Sequence, residues 1–189
     1  MNIQTWFDSA PLTPVIPDPC VIVGGTRLVE EFFGQINERP QDGHLALSVP
    51  FINPKLVNEL GTLQSLSHRR ITCTIVTAAS PTSEEACRRL LRLPWKSLEV
   101  FRSGTLHAKV YAFAGQDGLA VALIGSHNLT FSGTRRNAEV GVLIVSRTRT
   151  QISDATERSI EYIKRTGRQG TLLHDSGAWP EGVLVRRSA

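Results

Sequence analysis

Long apolar runs are missing from this chain of 189 residues. No stretch reaches the roughly 18–20 apolar residues that a membrane-spanning helix requires. Met1 to Ala10 carries no Lys or Arg and no apolar block, so it does not read as a secretory leader. Cysteine is scarce and odd in number. Cys20, Cys73 and Cys87 lack metal-ligand spacing and read as reduced residues of a cytoplasmic protein. No cofactor or structural metal is expected. Internal repeats and low-complexity blocks are also absent. With 41% hydrophobic and 20% charged residues, the composition excludes a disordered tail, a collagen-like chain and a disulfide mini-scaffold. One domain accommodates the length.

Lys is rare. Arg outnumbers it 17 to 4. The planar Arg fork suits phosphate, although a GC-rich genome produces the same bias. The net charge is +4, and it is unevenly placed. Residues 1–134 hold 11 basic and 11 acidic side chains, whereas residues 135–189 hold 10 and 6.

Pro11, Pro14, Pro17 and Pro19 block regular structure, so residues 1–19 read as an irregular N-terminal arm. A short buried strand over Cys20 to Val23 is followed by the Gly24-Gly25 turn. A helix is predicted from Thr26 to about Arg39, with Leu28, Val29, Phe32, Phe33 and Ile36 on one face. The pattern then predicts a strand over His44 to Ile52 and a helix from Asn53-Pro54 to about Leu66. A strand over Arg70 to Ala78 precedes a helix opened by a Thr82/Glu85 capping box and stopped by Pro94. Further strands are predicted over Leu98 to Arg102, Leu106 to Ala114, Leu119 to Gly125 and Ala138 to Ser146, with a loop over Ser126 to Asn137. A helix from Thr150 to Arg165 ends at the breaker Gly167 to Gly170. This order implies an α/β fold: a mixed β-sheet flanked by helices on both faces. Residues 20–166 are its domain, and residues 167–189 a C-terminal appendage.

The informative segment is Leu106 to Val142. On a strand, His107 and Lys109 leave the same face. A His and a Lys inside an apolar strand call for an anion or for solvent. The next strand ends at Gly125-Ser126-His127-Asn128, where a hydroxyl, an amide and backbone N–H groups are free to converge. Together these residues make an anion pocket with one group able to act as nucleophile or base. A half-buried strand followed by an unrelated polar turn is the plain alternative for the His-x-Lys pair alone.

His107-x-Lys109, then Gly125-Ser126-x-Asn128, then Asn137-x-Glu139 resembles the signature of the phospholipase D superfamily. Leu129-Thr130 and Gly133 fit its loop style. One position departs from it: Ala114 stands where the signature places Asp, and Asp117 comes three residues late. The resemblance implies a phospholipase D-like α-β-α sandwich and phosphodiester cleavage through a phosphohistidine without metal. It implies that His107 is nucleophile in one motif and general acid in the other. Lys109 and Asn128 hold the non-bridging oxygens, Ser126 bonds within the pocket, and Glu139 orients His107. Two His-x-Lys motifs are needed, and His44, His68 and His174 have no Lys two residues on. A homodimer is therefore expected, with its sites at the two-fold interface.

His127, Thr130, Arg135 and Arg136 are the substrate-binding candidates, the two Arg as a phosphate-tracking pair. Trp6, Trp95 and Trp179 read as packing residues, and Gly24-Gly25 as a plain turn. The expected activity is that of a nuclease on DNA or RNA. A lipid head-group phospholipase or transphosphatidylase, and a catalytically weak nucleic-acid-binding subunit, are the alternatives. No membrane partner is expected, since no amphipathic docking helix is present. The sequence does not name a companion helicase or modification enzyme.

Overall fold

The computed structural model describes residues 20–25, 27–38, 42–57, 71–93, 95, 97–148, 151–169 and 171–172. The expected N-terminal arm, the end of the second helix near Leu66 and most of the C-terminal appendage lie outside these residues.

In chain order the elements are β1 (Cys20–Gly24), α1 (Leu28–Glu38), β2 (Gly43–Ser48), β3 (Ile71–Ala78), α2 (Glu84–Leu91) and β4 (Ser97–Ser103). There follow β5 (Val110–Gly115), β6 (Ala120–Gly125), α3 (Phe131–Arg135), β7 (Gly141–Ser146), α4 (Gln151–Gln169) and β8 (Thr171–Leu172). Residues 54–57 form a helical turn after Asn53. One sheet contains all eight strands in the order β1-β7-β6-β5-β2-β3-β4-β8. β2, β3 and β4 are parallel, as helical crossovers require, and the other neighbours are antiparallel.

Alternation along the strands feeds two cores. Leu45, Leu47, Cys73, Ile75, Tyr111, Phe113, Val121 and Leu143 point toward α1 and α2. The apolar stripe of α1 closes this side, with Phe32 edge-on to Phe33 at 5.1 Å between ring centres. On the other face, Ala46, Val76, Phe101 and Ala112 receive Ile160 and Ile163 of α4. The predicted mixed sheet with helices on both faces is the observed architecture.

Several local predictions need correcting. The cap of α2 is Ser83, which accepts from the N–H of Ala86 at 3.2 Å. Thr82 is buried instead and donates to the carbonyl of Pro50 at 2.8 Å. Gly167 does not break α4, which runs to Gln169. A Cβ there would come within 2.7 Å of the Phe101 ring, so this glycine permits close helix–sheet packing. β5 begins at Val110, leaving His107 and Lys109 just ahead of the strand. β1 is an edge strand, not a buried one. Its Val21 and Val23 are exposed on the face where α4 packs, together with Ile124 of β6 and the adjoining Val140.

Candidate active site

Three glycines line up across one edge of the sheet. Gly24 of β1 pairs with Gly141 of β7, and Gly141 pairs with Gly125 of β6. The N–H of Gly125 then donates to the carbonyl of Lys109 at 3.2 Å. The signature residues hang from this row. What joins His107 to Lys109 is not a shared strand face. The Lys109 ammonium turns back and donates to the His107 carbonyl at 2.9 Å, while the His107 side chain stays exposed.

Ser126 follows Gly125 directly. Its hydroxyl donates to Oε2 of Glu139 and accepts from the N–H of Val140 at 3.1 Å. The amide of Asn137 donates to the other Glu139 oxygen at 3.3 Å. Asn137 therefore positions Glu139, and Glu139 positions Ser126. Each carboxylate oxygen keeps further acceptor capacity. Asn128 accepts the N–H of Phe51 at 3.3 Å through its Oδ1, which fixes the side of the amide that carries its two donors. The N–H of Asn53 donates to Leu129 at 2.9 Å, tying this loop to the segment after β2.

His127 does not face substrate. Its side chain is fully buried, and Nε2 donates to the carbonyl of Gly25 at 2.8 Å. Nδ1 is buried and has no hydrogen-bond partner among the described residues. The ring lies against the glycine row. A Cβ on Gly141 would come within 2.9 Å of its Cε1, and one on Gly125 within 3.0 Å of its Nδ1. The His127 carbonyl accepts from the hydroxyl of Tyr111 at 3.1 Å. Burial raises the Tyr111 phenol far above its usual pKa, and the Glu139 charge adds to this. Tyr111 is thus a neutral donor beneath the loop. Thr130 is likewise structural: its hydroxyl accepts from the N–H of Gly133 at 2.9 Å and caps α3, leaving 8% of the residue exposed. A Cβ on Gly133 would meet the Asn128 carbonyl at 2.7 Å, which explains the glycine at that place in the loop.

Arg135 and Arg136 flank Phe131, with guanidinium carbons 5.2 and 4.8 Å from its ring centre. Arg135 also lies 3.5 Å from Glu30 of α1, while Arg136 is exposed. Ala114 is at the opposite end of β5, five residues beyond Lys109. At about 3.3 Å per residue that is roughly 16 Å along the strand. An Asp there would lie too far along the strand to touch the signature residues. Among the described residues, no group of three or more His, Cys, Asp or Glu is gathered to hold a metal ion. Asn137, Phe51 and Tyr111 act as supports. Asn137 was legible in the signature; the other two were not, because their contacts depend on strand order.

Residues 43–164 match the family described as "Cardiolipin synthase, PLD-like domain". The chain belongs to the phospholipase D superfamily. The fold agrees with Nuc, a phospholipase D family member from Salmonella typhimurium. Identity is 16%, coverage 84% of this chain and 100% of that one, and the TM-score 0.59. NucT from Helicobacter pylori aligns at 11% identity and TM-score 0.57, over 81% of this chain and 98% of its own. Phosphatidylserine synthase from Haemophilus influenzae aligns at 17% identity and TM-score 0.51, over 87% of this chain and 42% of its own. Identities this low carry the fold and no more. No curated protein gives a sequence match. Within this superfamily chain, the signature Ser126, Asn128 and Glu139 are held by their own hydrogen bonds, and His107 is exposed.

Proposed function

We propose that the protein is a metal-independent nuclease that cuts DNA or RNA through a phosphohistidine in a homodimer. The observation that carries this reading is the glycine-lined sheet edge. Ser126, Glu139 and Asn137 form one hydrogen-bonded set there, Asn128 is fixed by the N–H of Phe51, and Lys109 is bonded to the carbonyl of the exposed His107.

A neutral His107 nitrogen attacks phosphorus, and the bond from phosphorus to the leaving oxygen breaks. That oxygen takes the proton of the partner's His107, present as imidazolium. The neutral imidazole then removes a proton from water. The water oxygen attacks phosphorus, the phosphorus–nitrogen bond breaks, and both histidines return to their starting forms. Lys109 and the Asn128 amide hold the non-bridging oxygens as charge builds. Glu139 fixes Ser126 and has acceptor capacity left to orient a His107 ring.

A second copy is required because the chain contains one His-x-Lys pair. Val21, Val23, Ile124 and Val140 are 57, 71, 48 and 66% exposed, an apolar patch bordering Ser126. Patches of this kind mark interaction surfaces. A second copy seated on this patch is the arrangement the two-motif reading calls for. Free Cys20, Cys73 and Cys87 fit a reducing cytoplasmic setting. The lipid reading draws its support from the family description.

Cleavage of plasmid and single-stranded substrates in EDTA, with His107→Ala as control, tests the proposal. Metal-independent nicking that disappears in the variant is expected. Turnover on phospholipid vesicles without any nucleic-acid cleavage would move the assignment to the lipid reading.

A further inference from the structure

A cleft of about 690 Å³ opens beside the active edge, lined by Ile22, Gly25, Arg27, Leu28, Glu31 and Arg135. Its size falls within the roughly 300–1,000 Å³ of small-ligand sites. Its position is fixed by the same row of glycines. Gly25 follows Gly24, and Gly24, Gly141 and Gly125 are paired across the sheet. The cleft mouth is thus two strand spacings from Ser126, about 10 Å. The hydrogen bond from His127 to Gly25 ties the cleft rim to the Ser126–Asn128 loop.

The lining has a definite chemistry. Ile22 and Leu28 supply an apolar floor. Arg135 is paired with Glu30, and Glu31 accepts the amide of Gln35 at 2.8 Å through Oε1. Arg27 is exposed, and no described residue forms an ion pair with it. A planar apolar surface can lie on this floor and a guanidinium plane can cover it. The second oxygen of Glu31 can accept from an exocyclic amine, as carboxylates do from cytosine N4. Arg27 can also take a phosphate oxygen at the rim.

We infer that this cleft is a base-binding subsite for the nucleotide next to the scissile diester, with Arg27 and Glu31 as its recognition groups. The inference rests on the nuclease reading and deepens it. A lipid head group on a glycerol backbone offers no flat ring for the floor. The cleft lies on the α1 side of β1, and the apolar patch on the α4 side, so a second copy on the patch leaves the cleft open.

Steady-state cleavage of a ladder of defined oligonucleotides, from dinucleotide upward, tests it against bis(p-nitrophenyl) phosphate. In the wild type, kcat/KM should step up when one nucleotide is added on one side of the scissile bond only. Arg27→Ala should raise the oligonucleotide KM about tenfold with kcat nearly kept. The ratio of oligonucleotide to small-diester kcat/KM should fall by the same factor. Glu31→Gln should alter the relative rates of the four homopolymers. Both side chains are exposed, and equal melting temperatures will confirm that the variants fold. If the wild type cuts oligonucleotides and both variants match it in KM, length dependence and base preference, the cleft is not a subsite. If the wild type hydrolyses the small diester but no oligonucleotide, the nuclease reading itself fails.

Discussion

His127→Ala separates a buried strut from a substrate contact. The side chain is fully buried, holds Gly25 at 2.8 Å and fills the space between Gly125 and Gly141. Removing it loses one hydrogen bond, about 1 kcal/mol, and leaves a cavity the size of an imidazole. Together these cost about 2–4 kcal/mol. For a chain of this length, that corresponds to a melting-temperature drop on the order of 5–15 °C. Activity should fall too, because Ser126 and Asn128 flank the lost ring and their hydrogen bonds depend on its seat. The loss should appear mainly in kcat. His127→Gln keeps a terminal N–H near the Gly25 carbonyl and should recover part of both quantities. Thermal melts followed by circular dichroism, with kcat and KM on a small diester, decide the matter. An unchanged melting temperature with a raised KM would refute the strut and restore the substrate-contact expectation.

Four further outcomes follow from the same geometry. Lys109→Ala should reduce kcat about 10²–10³-fold with little change in melting temperature, since it removes a transition-state cation and no packing; near-normal turnover would remove Lys109 from the reaction. Ile124→Glu should convert a dimer of twice 20.8 kDa into inactive monomer in light scattering and activity assays; a fully active monomer would overturn the two-motif requirement. Ala114→Asp should leave kcat within about twofold, because that position is roughly 16 Å along β5 from Lys109; a large rate gain would show that the missing Asp matters. Burial, reinforced by Lys164, lowers the His44 pKa from 6.5 to about 4. The unfolded chain therefore binds a proton that the folded chain excludes, so His44 destabilises the fold as pH drops from 6.5 toward 4. Denaturant titrations across that window should show a shallower pH slope in His44→Gln than in the wild type.

The sequence was most legible where local chemistry and tertiary structure agree. The stripe Leu28, Val29, Phe32, Phe33 and Ile36 gave α1 because one helix face meets one core. The apolar runs gave the strands. Ends were less legible, since strand ends depend on partners. β5 stops short of Lys109 because its pairing with β2 begins at Val110 opposite Ser48. Thr82 looked like a cap, yet a buried carbonyl at Pro50 claims its hydroxyl, and Ser83 caps α2 in its place. The inward seat of His127 is not legible in the sequence because the x of G-S-x-N carries no pattern of its own. Its direction is set by Gly25, 102 residues away along the chain. The nearness of Arg27 and Glu31 to the signature is illegible for the same reason: β1 joins that edge only through β7.

The bond from Lys109 to the His107 carbonyl says how this edge waits for its ligand. The Lys109 ammonium is held by a neutral carbonyl. A diester oxygen carries the opposite charge and adds a direct ionic attraction that the carbonyl lacks. On the proposed reading Lys109 exchanges the carbonyl for a phosphate oxygen when the diester binds. It also releases the backbone beside the proposed nucleophile to adjust. By contrast, Ser126, Asn137 and Glu139 are already locked together and need not reorganise. On the proposed reading the edge thus combines one cation that trades partners on binding with a hydrogen-bonded set that keeps its geometry. That division suits a reaction whose stabilisation must grow as charge moves onto the non-bridging oxygens.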